Sequence, residues 1–393
     1  MLEGLRQVCV LSAVSLRTIP QRPGPSLVIV IGVAGVVAVL LSVLSISSSL
    51  VRTIAGSGRA DRAIVMQRNA VSENTSMMER SAADRIQFAP GIRRTDDGQP
   101  IVSTEALTPL RVVDASGRRG NVMVRGVSQT VFALRPEMKL VAGRAMRPGF
   151  YELVVGRKAL AQFKGLKLND RVAFRGAEWT IVGVFSSAGD AHEMELLADV
   201  DMVLSAMQRN VVNSISVLLE SEGAYEAFRD SLTTEPSLVV KISRESEYYR
   251  LQSEPLQRSW SFVAYVVSGI MALGAMFGAA NTMYSAVSAR RMEIATLRAV
   301  GFGPNAVLVS VILEAMLLAV AGALLGAAIV WMLLSGHTFS TRMGSGRVMA
   351  QLSLGADLVA LGVAWACMIS ILGALAPAVR AARQPIADAL RET

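Results

Sequence analysis

The chain has 393 residues, of which 52% are hydrophobic and 18% are charged, and its mean hydropathy is +0.44. A soluble chain carries about 25% charged residues, so this composition argues against a fully soluble enzyme. The formal net charge of +8 and the pI of about 9.9 would also suit a nucleic-acid-binding protein, so the placement of the charges must decide the class. The only two cysteines, Cys9 and Cys367, exclude a disulfide scaffold, and two histidines give no zinc pattern of the usual spacing.

Four long apolar segments predict four transmembrane helices, at residues 23–51, 259–288, 304–334 and 355–379. A helix needs about 20 apolar residues to cross the hydrocarbon core, and each segment is longer than that. The first apolar core exceeds that of a cleaved signal peptide, so we expect it to be retained. Before it, residues 1–22 place apolar side chains at helical spacing, which predicts an amphipathic helix on the inner membrane surface.

The basic residues near the spans predict the orientation. Arginines are concentrated in the N-terminal segment, in the link at residues 289–303 and in the tail at residues 380–393, whereas the loop at residues 335–354 carries only two. The positive-inside rule therefore places both termini and the link in the cytoplasm. The large segment at residues 52–258 and the short loop then lie in the periplasm, and the basicity of the chain reflects membrane topology rather than nucleic-acid binding.

Residues 52–258 have the composition of a water-soluble α+β domain, with 28 basic and 25 acidic residues. Runs rich in β-branched residues between turn residues predict strands, and these are Ala63–Gln67, Val122–Val127, Glu152–Val155, Arg171–Phe174, Trp179–Phe185, Ser214–Leu219 and Leu238–Ile242. Helices are predicted at Ser76–Phe88, Arg157–Phe163 and Tyr225–Leu232. Ser81 and Asp84 match a capping box, although such short matches are common.

The same segment offers little chemistry. His192 has Asp190, Glu193 and Glu195 nearby in the sequence but no second histidine. This pattern favours a solvated loop over a metal or acid–base site. Asp96-Asp97-Gly98 lacks the further ligands of a calcium loop and predicts a turn. The chain contains no nucleophile elbow and no phosphate-binding P-loop. We therefore expect no catalytic, metal or cofactor site on this chain, and any ATP must be hydrolysed by another polypeptide.

The link at residues 289–303 is predicted to form a short helix. Met292, Ala295, Leu297 and Val300 make an apolar stripe, and Gly301 followed by Pro304 is typical of a helix end. Such a helix can lie on the membrane or dock into a partner's groove. The charged residues Arg291, Glu293 and Arg298 accompany the stripe, and the embedded glutamate favours docking.

Within the spans, Glu314 is an isolated charge. A carboxylate near a helix centre costs about 3 kcal/mol by insertion scales, so we expect it to pack or couple against Arg298 or the interface, with a proton path as the less favoured alternative. Gly274 with Gly278, and Gly322 with Gly326, allow close approach of helices. Packing within the chain and dimerisation both remain open for each pair.

The stretch NTMYSAVSARRMEIATLRAVG at residues 281–301 resembles the coupling motif of the MacB/FtsX/LolC-type permease superfamily of ABC transporters. Pro377, Arg380 and Arg383 match the family's C-terminal pattern. Segments 124–127, 142–144, 154–156 and 180–185 are similar to its MacB-like periplasmic core domain. The order of one span, a large domain and three further spans also resembles the layout of this family.

The resemblance implies a stand-alone permease subunit in the bacterial inner membrane, without the ATPase that MacB itself carries. Two permease chains, identical or different, would each dock the link onto an ATPase that binds ATP and Mg. Movement would then pass to the periplasmic domains and drive export or extraction of a substrate from the periplasm or the membrane lipid. An adaptor and an outer-membrane channel are further partners that this implies. The coupling residues would be Arg290, Arg291, Met292, Glu293, Ile294, Arg298 and Gly301.

Two rival hypotheses belong to other functional classes. An FtsX-like regulator would activate a periplasmic cell-wall hydrolase without transporting anything, and the four-span layout does not separate it from a transporter. A membrane-attached binding or scaffold protein without an ATPase is disfavoured by the coupling motif.

Overall fold

The structure, a computed structural model, describes residue 7 and residues 23–114, 117–343 and 346–383. The chain folds as two compact units. The membrane unit comprises Met1–Ser48, Arg258–His337 and Gln351–Thr393, and the α+β domain comprises Ser49–Gln257 and Thr338–Ala350. The predicted amphipathic helix at residues 1–22, apart from residue 7, and the tail beyond residue 383 lie outside the described part of the chain.

The helices, in chain order, are α1 Pro23–Ala55, α2 Ser81–Ile86, α3 Val131–Leu134, α4 Arg157–Gln162, α5 Val200–Met207, α6 Ala224–Thr233, α7 Glu245–Ala289, α8 Arg291–Ala299, α9 Pro304–Leu334 and α10 Ala356–Arg383. Four of them, α1, α7, α9 and α10, are long and apolar enough to cross a membrane. The α+β domain lies between the first and the second of these in the sequence. The predicted fold class, one span followed by a large α+β domain and three further spans, is confirmed.

The strands are β1 Arg62–Gln67, β2 Met78–Glu79, β3 Val102–Val113, β4 Arg119–Val127, β5 Met138–Gly143, β6 Glu152–Gly156, β7 Arg171–Phe174, β8 Ala177–Ser187, β9 Glu195–Asp199, β10 Val211–Val212, β11 Ser214–Leu218, β12 Val240–Arg244, β13 Thr338–Met343 and β14 Gly346–Gln351. The main sheet has the order β12-β1-β11-β3-β4-β9-β6-β8-β5, and β7 pairs with β8. Most of these pairs are antiparallel, while β4 with β9 and β6 with β8 are parallel.

Alternation along the strands gives the sheet two different faces. On one face Ala63, Val124 and Leu196 join a large apolar core. Helices α2, α4, α5 and α6 cover this face, since Ile86, Ala159, Val203 and Phe228 belong to the same core. The neighbouring strand positions Arg62, Glu105, Arg125 and Glu195 fall on the opposite face, which is therefore charged near the centre of the sheet.

Several predicted elements differ in extent. The helix predicted at Ser76–Phe88 is wrong over its first turn, because Met78–Glu79 pairs with Val211–Val212 as a strand and the helix covers only Ser81–Ile86. That helix begins after Arg80 without a side-chain cap, so the Ser81–Asp84 capping box is also wrong. Asp96-Asp97-Gly98 forms the expected turn, with Gly98 at a φ of 78° and Thr95 N donating to Gln99 O.

The short loop predicted at residues 335–354 contains a β-hairpin, β13–β14, that belongs to the α+β domain. Lys158 Nζ donates to the carbonyl oxygen of Met349 at 3.2 Å, and Gln162 Nε2 donates to Ser340 Oγ at 3.3 Å. Met349 also packs against the apolar core. The connection between α9 and α10 is therefore fixed to the domain through α4.

In the membrane unit, α1 packs closely against α9. A Cβ atom added at Gly322 would lie 2.7 Å from the carbonyl oxygen of Val30, and one added at Gly326 would lie 2.6 Å from that of Ala34. Within the described residues, a Cβ atom at Gly274 or Gly278 would meet no heavy atom within 4 Å. Of the two glycine pairs, the one in α9 therefore serves packing within the chain.

We predict that Gly326→Ala lowers the thermal unfolding midpoint of the detergent-solubilised chain by several degrees, because the added methyl group forces the backbones of α1 and α9 apart. Overpacking of this kind costs about 1–3 kcal/mol. The matched control is Gly274→Ala, which has room and gains helix propensity of up to about 1 kcal/mol. Equal midpoints for the two variants would contradict the assigned α1–α9 contact.

Candidate functional site

The predicted coupling segment forms a separate helix between two of the membrane-length helices. The long helix α7 ends at Ala289, Arg290 breaks the helical backbone with φ −104° and ψ 15°, and α8 runs over Arg291–Ala299. After Val300, Gly301 takes a φ of 108°, and the amide of Phe302 donates to Leu297 O. A left-handed residue at this position favours glycine, which explains why the motif contains one.

The side chains of α8 divide into two sets. Ile294 and Ala295 are buried, and Ile294 belongs to the apolar cluster that joins α1, α7, α9 and α10. Met292 is 44% exposed and Val300 is 75% exposed, and Glu293 is exposed as well. Ile294 and Ala295 therefore attach α8 to the membrane unit, which leaves Met292, Glu293 and Val300 as the surface on which a partner could bind. Arg291 is exposed and Arg298 is half-buried.

Two further side-chain contacts lie within the membrane unit. Nη1 of Arg290 lies 3.1 Å from Oε2 of Glu314, and both side chains are nearly buried. From the sequence we expected Glu314 to pack or couple against Arg298 or the interface, and Arg290 is a partner that we did not anticipate. In α10, Pro377 is buried, Arg383 is exposed, and the guanidinium of Arg380 lies 5.7 Å from the ring centroid of Tyr284. An arginine over an aromatic ring is a favourable cation–π contact.

A second group of charged residues lies inside the α+β domain, on the charged face of the sheet. We call it the charge cluster; it consists of three arginines, five glutamates and one histidine, namely Arg62, Arg125, Arg135, Glu73, Glu105, Glu137, Glu195, Glu245 and His192. All except Glu137 and Glu195 are less than 9% exposed. None of them is predicted from the sequence to form a site, and His192 and Glu195 were expected in a solvated loop.

Arg125, on β4, is surrounded by carboxylates. Its Nε and Nη2 donate to the two oxygens of Glu195 at 2.7 and 2.9 Å. Its Nη1 donates to Glu73 Oε1 at 3.1 Å and also to Glu105. A buried charge costs free energy unless it is paired and hydrogen-bonded, and this arrangement satisfies both requirements.

The pKa values follow from the same contacts. Burial by itself would raise the pKa of Glu73 and Glu195, but the positive charge and hydrogen bonds of Arg125 outweigh burial and hold both pKa values below their usual range. Burial opposes the charge of Arg125 as well, yet the surrounding carboxylates raise its pKa well above the ordinary value. The three groups are therefore ionised together at neutral pH.

His192 is buried rather than solvated, so the loop interpretation from the sequence is wrong at this residue. Its side chain is 1% exposed; Nδ1 lies 3.0 Å from Glu195 Oε2, and Nε2 lies 3.2 Å from the hydroxyl of Tyr249. The partner that sequence analysis did not anticipate is Tyr249, which belongs to α7. Among the described residues, no group of His, Cys, Asp and Glu side chains could hold a metal ion.

A cavity of about 150 Å³ adjoins the charge cluster and is lined by Glu73, Arg125, His192, Glu195, Tyr248 and Tyr249 together with other polar and apolar residues. Since a water molecule occupies roughly 30 Å³ in the liquid, the cavity is large enough for several.

A signal for the charge cluster does exist in the sequence. Arg125 and Glu195 each interrupt an otherwise apolar β-type run, at VMVRGV and EMELLAD. A charge at a strand position next to core residues falls on the other face of the sheet, but the sequence does not show whether that face is covered. Glu245 and Tyr249 precede the apolar part of α7 by more than ten residues, so hydropathy gave no reason to include them in the same helix.

Comparison with known proteins gives two family models that match consecutive parts of the chain. The MacB-like periplasmic core domain matches residues 26–235, and the FtsX-like permease C-terminal region matches residues 265–386. The lipoprotein-releasing system transmembrane protein LolC of Xylella fastidiosa (strain 9a5c) is 24% identical over 403 aligned residues, which cover 93% of each chain.

Two solved structures are similar at low identity. The periplasmic region of MacB from Actinobacillus actinomycetemcomitans is 15% identical with a TM-score of 0.35, and the match covers 51% of this chain and 92% of that one. The extracellular domain of the ABC-type transporter YknZ from Gram-positive bacteria is 12% identical with a TM-score of 0.36, covering 46% and 99%.

We predict that acid destabilises the chain through the carboxylates around Arg125. The folded-state pKa values of Glu73 and Glu195 lie below the usual 4.5, so as the pH falls the unfolded chain takes up these protons first. The stability that the two groups contribute is present above about pH 4.5 and is lost as the pH falls through the folded pKa values. The buried Asp190, whose pKa is raised by burial, opposes this dependence.

The measurement is the thermal unfolding midpoint of the full chain in detergent between pH 7 and pH 3. Glu195→Gln should lower the midpoint at neutral pH and flatten the loss below pH 5. The matched control is Glu178→Gln, which removes an exposed carboxylate paired with Arg171 and should keep the full pH dependence, since surface pairs contribute about 0–1 kcal/mol. Identical pH profiles for both variants would contradict the role assigned to Glu195.

Proposed function

The chain belongs to the ABC transporter permeases that combine a MacB-like periplasmic core domain with an FtsX-like C-terminal region, and we propose that it couples ATP hydrolysis by a separate ATPase subunit to movement of its α+β domain. It acts as a non-catalytic subunit, paired with a second permease chain in a bacterial inner membrane. ATP and Mg are bound by the partner ATPase.

The single observation that carries this proposal is the arrangement of α8. Between two membrane-length helices, it buries Ile294 and Ala295 in the membrane unit while Met292, Glu293 and Val300 remain exposed. Large apolar side chains that project beside a charge on a short helix suit insertion into a partner's groove. Lipid could cover Met292 and Val300, but an anionic membrane surface would repel the carboxylate of Glu293.

The orientation supports the same assignment. Arginine enrichment in the N-terminal segment, the α8 segment and the tail favours their location in the cytoplasm, where an ATPase would be reached. The α+β domain would then lie in the periplasm, and movement would act on a substrate there or in the outer leaflet of the membrane. The LolC relative, named for lipoprotein release, makes extraction of a lipid-attached substrate the first class to test, with export towards an adaptor and outer-membrane channel as the second.

We predict that charge reversal on α8 weakens binding of the ATPase. Glu293→Arg with Arg298→Glu should reduce co-purification of the cognate ATPase by at least about tenfold, which corresponds to about 1.4 kcal/mol. Val300→Asp should do the same, because it puts a charge where an apolar contact is expected. The measurement is the amount of ATPase that co-purifies with the tagged permease from membranes.

The control variant is Glu222→Arg, which reverses an exposed charge in the α+β domain and should leave co-purification unchanged. A complex that stays assembled and hydrolyses ATP with α8 reversed at both positions would overturn the docking assignment. Deletion of the gene should cause the substrate to accumulate. A cell-wall defect with normal release and efflux would instead support the regulator of a cell-wall hydrolase.

A further inference from the structure

The first residue of α7 makes three polar contacts, two of them with arginines of the charge cluster. Glu245, the first residue of the helix, is fully buried and accepts from the backbone N–H of Arg59 at 3.1 Å and from Arg62 Nη1 at 3.3 Å. Oε1 of Glu245 lies 2.5 Å from Nη1 of Arg135. One carboxylate at the start of this helix is thus bound to two arginines from separate parts of the domain.

Two tyrosines extend the contact. The hydroxyl of Tyr248 accepts from the backbone N–H of Glu73 at 3.0 Å, and the hydroxyl of Tyr249 is hydrogen-bonded to Nε2 of His192. The two rings also meet edge to face, with centroids 5.2 Å apart. Both side chains are less than 9% exposed. We call Glu245, Tyr248 and Tyr249 the attachment residues.

The contacts of the attachment residues are linked to the rest of the cluster. Arg62 also binds Glu137 through both terminal nitrogens, at 2.5 and 2.6 Å. His192 contacts Glu195, which binds Arg125, and Arg135 lies 4.0 Å from Glu105. Displacement of the first turn of α7 would therefore remove the nearest carboxylate from Arg135, one of two carboxylates from Arg62 and the Tyr249 hydroxyl from His192. The penalty for weakening these buried contacts opposes such displacement.

We propose that Glu245, Tyr248 and Tyr249 are positioning residues through which movement of α7 enters the α+β domain. This inference rests on the proposed function. Helix α7 is continuous from Glu245 to Ala289, and Arg290 alone separates it from α8. An ATPase that moves α8 would therefore displace a helix whose other end is bound to the centre of the sheet. The charge cluster makes that end and the sheet move together.

Apolar packing alone would not serve this purpose equally well. An apolar helix face can slide over an apolar surface at little cost. A buried carboxylate that leaves two arginines loses both of its ion pairs, and Arg135 loses its nearest carboxylate. His192 and Tyr249 both line the adjoining cavity. The contact is therefore selective for one position of the helix, which is what transmission of a displacement requires.

The experiment uses the full chain with its cognate ATPase in lipid nanodiscs. After replacement of Cys9 and Cys367 by serine, spin labels are attached at Ala161→Cys on α4 and Phe262→Cys on α7, two exposed positions outside the charge cluster. Double electron–electron resonance then gives the distribution of distances between the two labels, with and without ATP. With the three attachment residues unchanged, the distribution of label distances should be narrow.

The test variant is Tyr249→Phe, which keeps the ring and removes only the hydroxyl that contacts His192. Its matched control is Tyr225→Phe, another buried tyrosine, whose hydroxyl donates to Ile242 O outside the cluster. The stronger variant is Glu245→Gln. Tyr249→Phe and Glu245→Gln should broaden the distance distribution without nucleotide and shift it further with ATP, while Tyr225→Phe should behave as the unsubstituted chain does.

ATP hydrolysis and ATPase co-purification are measured on the same samples. If the attachment residues are positioning residues, both stay unchanged in Tyr249→Phe while the label distance becomes dependent on ATP. A distribution as narrow as that of the unsubstituted chain in both variants would overturn the inference. Failure of the unsubstituted chain to bind an ATPase would instead refute the proposed function, and the nucleotide-free distributions would still decide whether these residues hold α7 to the sheet.

Discussion

The guanidinium group of Arg125 is the constraint on which the α+β domain depends. Side chains of β4 alternate between the two faces of the sheet, so Arg125 lies on the face opposite the core residue Val124. Because Arg125 is buried there, its charge has to be neutralised. Glu73, Glu105 and Glu195 come from three other parts of the chain to do so. Burying these charges is not in itself a source of stability, because well-packed apolar residues often serve as well. What the charges provide is a penalty for any arrangement that separates them.

That penalty connects the two proposals. The ion pairs of Glu245 and the hydrogen bond of Tyr249 attach the first turns of α7 to the same network, and α7 ends one residue before α8. On α8, Ile294 is buried in the membrane unit, whereas Val300, which follows the helix, is exposed and is one of the residues proposed to bind a partner. The chain thus has a polar attachment at one end of a long helix and a helix with an exposed docking surface at the other.

The sequence was sufficient for the features that depend on long or periodic patterns. Four apolar segments predicted the membrane-length helices, and the Gly301 motif predicted where α8 ends. It was insufficient where tertiary contacts decide. The polar first third of α7 has no hydropathy signal, the strand at Met78–Glu79 exists because Val211–Val212 pairs with it, and His192 looks like a loop residue until Tyr249 and Glu195 enclose it. Glu314 was recognised as a residue needing a partner, but spacing alone did not select Arg290.

The central claim is that the charge cluster holds the first turns of α7 to the sheet, and amide hydrogen exchange measured by mass spectrometry on the intact permease–ATPase complex tests it most directly. Peptides covering residues 245–252 should exchange as slowly as those of β4 and β9, with ATP and without it. In Glu245→Gln the same peptides should lose protection while β4 retains it. Rapid exchange of residues 245–252 in the unsubstituted complex, at the rate of exposed helix ends, would contradict the account.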